Sequence, residues 1–315
     1  KVVPSSWRKF RDVALYWLKM GVDGFRYDMA EMVPVEFWSF MNSSIKMENP
    51  DAFIMAEVYN PDLYRTYIHK GKMDYLYDKV DFYDGLKHIM KGYGWSDHIP
   101  VVQNGLQDIE HNMLHFLENH DEQRISSPEF VGNPEIGKPA MVISATISTS
   151  PTMIYFGQEV GEPAAENAGF GSASRTSIFD YVGVPNHQRW VNDKKFDGGQ
   201  LKPEEVALRD FYKRLLNFTI SSEALMGAYR EIHFYNKEIT ENYNHRVLSY
   251  VRWSENQKLI IISNFDSSVH FSFDLKIPVD IINQWQLKED AYELNDVLYC
   301  DSNTLRIKND EGHIS

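Results

Sequence analysis

The chain has 315 residues, 43% of them hydrophobic and 14% aromatic, which supplies a large core and is long for a single domain, so two domains are expected. A formal net charge of -13 repels nucleic acid and favours neutral or cationic ligands. Cys300 is the only cysteine, so neither an intrachain disulfide nor a cysteine-based metal site is available, and no apolar run is long enough to span a membrane.

The first element is "SSWRKFRDVALYWLKMG". Trp7, Phe10, Ala14, Trp17 and Leu18 recur at helical spacing, with Ser5 or Ser6 as the expected N-cap and Gly21 as the stop. A β-prone run at 22–27 follows, then helical spacing again in "VEFWSFMNSSIK". The alternation continues with a strand at 52–58, a helix in "PDLYRTYIHKG", a strand at 73–80, a helix in "GLKHIMKGYG", and a strand in "NMLHFLENHD". After them come a helix in "GKPAMVISATISTS" and a last strand in "PTMIYFGQE" at 151–159. Strands alternating with helices predict an α/β fold with parallel pairing. One more helix is predicted from Pro203 to about Ser222, and beyond it the texture changes. "HRVLSYVRWSENQKLIIISNFDSS" reads as two strands joined at "SENQ", so 225–315 is expected to be a separate antiparallel all-β domain behind a catalytic domain at 1–224.

Side chains that do chemistry in parallel βα arrays stand at the C-terminal strand ends. Those ends carry Asp28, Glu57, the trio Asn119, His120 and Asp121, and the pair Gln158 and Glu159. Their separations suit successive βα units, which gathers three acids on one face. Two carboxyls about 5 to 5.5 Å apart are the pattern of retaining glycoside hydrolysis, with one attacking and one protonating the leaving oxygen. Like charges that close raise at least one pKa, as an acid donor requires, and an arginine beside the other keeps it ionised. Arg26, two residues before Asp28, shares its face. Each piece also has a plainer reading: a structural ion pair for Arg26 and Asp28, a helix-end acid for Glu57, a loop histidine for His120. Metal-assisted hydrolysis by the same Asp, Glu and His set is the competing chemistry.

At these residues the chain resembles the α-amylase superfamily of glycoside hydrolases. "GFRYDMA" is similar to the segment with the arginine and the nucleophilic aspartate, "FIMAEVY" to that of the acid/base glutamate, and "LENHDEQR" to that of the sugar-binding histidine and the transition-state aspartate. "PTMIYFGQE" resembles the eighth-strand segment. The resemblance implies a (β/α)8 barrel of the TIM type with a C-terminal β-sandwich, an α-glucan oligosaccharide or polysaccharide as substrate, Asp28, Glu57 and Asp121 as catalytic residues, and Arg26, His120, Asn119 and Tyr59 as substrate-binding ones. Phe156, Phe179 and Tyr181 are further candidates for stacking on sugar rings, with core packing as the plainer role of each. A glucosyltransferase or branching activity, and a non-catalytic glucan-binding product, are the alternatives.

Where many α-amylases carry a Lys-His pair after the nucleophile, this chain has Glu31 and Met32, and "DMAEMVPVEFW" is closer to neopullulanase-like and cyclomaltodextrinase-like members. The five strands match the fourth to eighth of the barrel. The first three βα units, with any calcium site, are therefore expected to precede Lys1, either as another polypeptide or because this chain is a fragment of a longer one; these residues call for no metal or cofactor of their own. The resemblance leans toward an exported protein without fixing a compartment.

Overall fold

A computed structural model describes residues 2–167, 173–179, 181–309 and 311–314. Five strands, β1 (Gly24–Tyr27), β2 (Phe53–Ala56), β3 (Tyr75–Tyr77), β4 (Met113–Phe116) and β5 (Thr152–Met153), form one parallel sheet in the order β1-β2-β3-β4-β5. Sequential order is the winding of a barrel; a doubly wound sheet reverses direction at a switch point. Gly24 lets the first pair close, since a Cβ there would lie 2.0 Å from the Phe53 carbonyl oxygen.

Helices separate the strands: α1 (Ser5–Lys19) precedes β1, and α2 (Val35–Glu48), α3 (Tyr64–His69), α4 (Asp84–Met90), α5 (His98–Gly105) and α6 (Lys138–Thr146) fill the crossovers. Period-two alternation then sorts the side chains. Ile54, Ala56 and Leu76 pack outward with Trp38, Met41 and Ile45 of α2. Tyr77, Leu114 and Phe116 form an inner cluster with Met55, Tyr59, Tyr75 and Met153. Tyr27 faces the helices, stacking on Trp38 at 4.3 Å and donating to Asn42 Oδ1 at 2.8 Å. Its neighbours Arg26 and Asp28 therefore face inward.

Several predicted elements differ in extent. Pro4, not a serine, holds the N-cap of α1, and Ser5 is already helical. The strand expected at 73–80 stops at Tyr77, because Lys79–Tyr83 winds into a π-helical turn that stacks Tyr83 on Phe116. The strand expected at 151–159 keeps two residues: the chain turns at Gly157, whose φ of 82° suits glycine. Helix α5 lies where none was predicted; its Pro100 sits in the first turn, where a missing N–H costs no helical bond.

Beyond α7 (Pro185–Val191) and α8 (Pro203–Ser221) lie two antiparallel sheets. One has the order β6-β7-β8, from β6 (Ala228–Glu231), β7 (Val247–Trp253) and β8 (Lys258–Asn264), with β7 and β8 joined at the predicted "SENQ" turn. The other has the order β10-β11-β12-β9, from β9 (Leu275–Ile277), β10 (Asp290–Asn295), β11 (Ser302–Lys308) and β12 (Glu311–Ile314). The region expected to be all-β also holds helices α9 (His233–Ile239) and α10 (Val279–Gln284). Helix α9 is fixed by tertiary bonds: Asn236 accepts from the Lys276 N–H at 2.7 Å and donates to the Lys276 carbonyl at 2.9 Å. Strand β7 is buried on both faces, with Leu248 and Tyr250 against α6 and α8, and Val251 and Trp253 against the second sheet.

Candidate active site

The C-terminal ends of β1 and β2 meet. Met29, just past Asp28, takes a left-handed conformation (φ 43°) that aims its N–H at Glu57 Oε2, 2.9 Å away. A non-glycine residue held there stores strain of the kind that collects at functional sites. The Ala30 N–H continues the turn by donating to the Glu57 carbonyl at 2.9 Å.

Arg26 spans the two acids. Its Nη1 donates to Asp28 Oδ1 at 2.7 Å, its Nη2 lies against Glu57 Oε1, and the guanidinium sits over the Tyr77 ring at 5.7 Å. Hydrogen bonding from Arg26 holds the Asp28 carboxyl below the usual aspartate range, with Arg26's charge adding to the effect and desolvation opposing it. Burial disfavours the charged guanidinium, but Asp28, Tyr77 and Glu57 outweigh it and raise its pKa. The two acids differ in setting: the Asp28 side chain is 71% exposed and that of Glu57 5%. Tyr59 donates its hydroxyl to Glu57 Oε1 at 2.9 Å, and burial, then the Glu57 charge, push its pKa up.

The segment after β4 carries the other three predicted site residues. His120 Nε2 lies 3.1 Å from Asp121 Oδ2, and His120 contributes to the field at Asp28 as Asp121 does at Tyr59 and Tyr77. Phe179 approaches His120 edge-on at 6.2 Å. Asn119 is buried, and its Oδ1 accepts the N–H groups of Asp121 and Glu122, both at 2.8 Å, so its carbonyl oxygen supports the loop. Arg26, Asp28, Glu57 and Tyr59 are thus joined by direct contacts, and Asn119, His120 and Asp121 are joined to one another in the loop after β4. Gln158 joins neither group; its amide turns into the helical layer and donates to the Tyr212 hydroxyl at 3.1 Å. Phe156 is partly exposed beneath Arg124, and Tyr181 is fully exposed.

Two supports were not predicted. Glu31 Oε2 accepts the N–H groups of Tyr59 and Asn60 at 3.0 and 2.9 Å, pinning the segment that carries Glu57 and Tyr59. Arg124, fully buried, donates to Glu118 Oε2 (2.7 Å), Thr176 Oγ1 (3.0 Å) and the Phe156 carbonyl (2.9 Å), tying the loop after β4 to two other loops. Among the described residues no group of three His, Cys, Asp or Glu side chains is arranged to hold a metal ion, and no helix is long and apolar enough to cross a membrane.

Acids at adjacent strand ends, bridged by an arginine, on a sequentially wound parallel sheet, are the arrangement that parallel βα barrels present at the C-terminal ends of their strands. The family model described as alpha amylase, catalytic domain, matches residues 3–197, and the chain belongs to that family. It is 24% identical to the intracellular maltogenic amylase of Bacillus subtilis over half of this chain and 27% of that protein. It is 23% identical to a cyclomaltodextrinase of a Bacillus species over 82% of this chain and 41% of that one. The chain therefore spans about a quarter to two fifths of the length of these curated relatives. Among solved structures, a noncanonic maltogenic α-amylase from Thermotoga neapolitana superposes with a TM-score of 0.69 at 19% identity, covering 98% of this chain and 62% of that one. That likeness establishes the fold: a barrel-type parallel βα sheet followed by antiparallel sheets.

Proposed function

We propose that this chain carries the catalytic carboxyls of a retaining glycoside hydrolase acting on α-glucosidic bonds of starch-like oligo- or polysaccharides. The observation that carries the reading is Arg26 touching both Asp28 and Glu57, which gives two neighbouring acids unlike environments. Asp28, held ionised, attacks the anomeric carbon, and the bond from that carbon to the leaving oxygen breaks as Glu57 hands that oxygen a proton. Glu57 then takes a proton from water, whose oxygen attacks the same carbon and frees Asp28. His120 and Asp121 grip the sugar hydroxyls most strongly in the flattened, positively charged transition state. Tyr59 orients Glu57, and Asn119 acts by shaping the loop beneath His120. These steps use side-chain carboxyls alone, so no cofactor is assigned to these residues.

The finer architecture belongs to the same reading: β1 to β5 are taken as the fourth to eighth strands of an eight-stranded barrel, with residues 1–224 its catalytic part and 225–315 a sandwich domain. The sequential strand order and the order of the motifs support it. Any calcium site is assigned outside these residues.

The test is hydrolysis of starch, pullulan and cyclodextrins by the complete polypeptide that contains this chain. Asp28→Asn is expected to cut kcat by about 10³-fold or more, with the product anomer retaining its configuration in the wild type. No cleavage of any α-glucoside, or an Asp28→Asn variant as active as the wild type, overturns the proposal. Transfer products outweighing hydrolysis at high acceptor concentration would make water the lesser acceptor and the enzyme a transferase.

A further inference from the structure

The candidate site divides into two groups: Arg26, Asp28, Glu57 and Tyr59 at the ends of β1 and β2, and Asn119, His120 and Asp121 in the loop after β4. Lys79 connects them. Its Nζ stands over the Tyr59 ring, 5.7 Å from the centre, and lies 3.1 Å from Oε1 of Glu122, the residue after Asp121. Lys79 opens the π-helical turn Lys79–Tyr83 that ends β3 early. Turns of this kind are rare and concentrate at functional sites.

The ammonium is fixed from several sides. Asp84 Oδ1 and Oδ2 accept from Nζ at 3.0 and 3.2 Å, and the Tyr83 ring, stacked on Phe116 of β4, lies 5.6 Å from it. Glu122 is buried, and its Oε2 accepts from Lys87 Nζ and from the Tyr83 hydroxyl, both at 3.0 Å. Its N–H donates to Asn119 Oδ1 at 2.8 Å, so Glu122 is held by backbone and side chain alike. Burial works against the Lys79 charge, but Glu122 and Asp84 outweigh it and raise its pKa. Burial likewise opposes the Glu122 charge, yet Lys87 and Lys79 hold its pKa below the usual glutamate range. An ion cluster of this kind could brace a loop anywhere. What sets Lys79 apart is the ring beneath it, whose hydroxyl donates to Glu57 Oε1 at 2.9 Å. A cation is attracted to a ring face, more strongly as water is withdrawn, and the Lys79 side chain is only 20% exposed.

We propose that Lys79 is a positioning residue for the acid/base carboxyl: it seats the Tyr59 ring, and with it the hydroxyl that orients Glu57, at a place fixed by Glu122 in the loop that carries Asp121. The role of Glu57 as acid rests on the function proposed above; the seating of Tyr59 does not. A group that acts through Tyr59 and Glu57 matters most where the leaving oxygen needs a proton.

The experiment uses the complete polypeptide that contains this chain. It compares kcat/KM on maltotriose, whose leaving oxygen needs a proton, with kcat/KM for phenolate release from 2-chloro-4-nitrophenyl α-maltoside, whose leaving group departs without one. Lys79→Met is expected to lower the first by about 10- to 100-fold and the second by less than about threefold. Partial unfolding scales both values alike, so their ratio is insensitive to it. Lys79→Arg, which keeps the charge, is expected to recover most of the loss, and in a Tyr59→Phe background Lys79→Met is expected to cost less than about threefold on maltotriose. Equal losses on the two substrates, or the full loss again in the Tyr59→Phe background, make Lys79 a brace of the loop and overturn the proposal. The Tyr59 signal of ¹³C-tyrosine-labelled protein, identified by its absence in Tyr59→Phe, reads the seating without turnover and is expected to move in Lys79→Met. If the wild type cleaves neither substrate and that signal moves, the seating stands and the catalytic reading falls. If both substrates are cleaved and the signal stays still, the catalytic reading stands and the seating is refuted.

Discussion

Glu31 lies in the turn after β1, and its job is mechanical. By accepting two consecutive N–H groups it fixes where the chain leaves β2, and with it the Tyr59 hydroxyl that orients Glu57. Charge-assisted bonds of this kind are short and directional, and a displacement of about 1 Å at a catalytic group can cost about 10²-fold in rate. Glu31→Ala is therefore expected to lower kcat by about 10- to 100-fold with little change in KM, while Glu31→Gln, which keeps an acceptor oxygen, recovers much of the loss. Steady-state kinetics on a short α-glucoside separate the two, and equal kcat in wild type and Glu31→Ala would remove Glu31 from the positioning role. Arg26, Asp28 and Glu57 were legible in the sequence because period-two alternation and strand ends are local rules. Glu31 was not, because its partners lie 28 and 29 residues away and only the folded turn brings them together.

Among the elements, the loop after β4 depends on a buried ion pair. Glu118 and Arg124 are both buried, and the Arg124 guanidinium also lies 4.4 Å from the centre of the Tyr155 ring. Burial raises the pKa of Glu118, and Arg124 works against that shift. Removing one partner leaves the other charge without compensation, at a cost of about 3–5 kcal/mol. Arg124→Met is expected to destabilise by that amount, and the Glu118→Gln/Arg124→Met double variant by clearly less than the sum of the single changes. Urea denaturation of the four proteins measures the coupling, and additive losses would show that the pair is not coupled. The sequence displayed "LENHDEQR" as one motif but could not show that its first and last charges close on each other beneath His120. Element boundaries were misread where contacts from other layers decide them, as at the π-helical turn that seats Tyr83 on Phe116 and at α9, held by Asn236.

At the scale of the whole molecule, α9 is joined to the segment before α5. His233 Nε2 lies 2.8 Å from Asp97 Oδ1, and Lys237 pairs with Asp97 Oδ2. Burial lowers the His233 pKa below its ordinary 6.5, with Asp97 opposing. Burial likewise works against the Asp97 charge, but bonds from Lys237 and His233 outweigh it and hold its pKa below the ordinary 3.8. Both folded-state values lie below the unfolded ones, so the unfolded chain binds protons first as pH falls. Stability from His233 is present above about pH 6.5 and is lost on acidification through that value, and that from Asp97 is lost below about 3.8. Tm is expected to fall between pH 7.5 and 5.5, and His233→Gln to flatten that slope. An unchanged slope in the variant would assign the effect to other groups.

Strand β7 separates two cores and belongs to both, since Tyr250 bonds Thr146 of α6 at 2.5 Å while Val251 packs on the second sheet. Its neighbour Arg252 satisfies the carbonyls of Thr146 and Leu225 from within the same strand. Opening either core exposes this strand, so neither can melt while the other stays closed. The β7 amides should be among the last to exchange with deuterium, and heating should give one calorimetric transition in which the βα sheet and the antiparallel sheets are lost together.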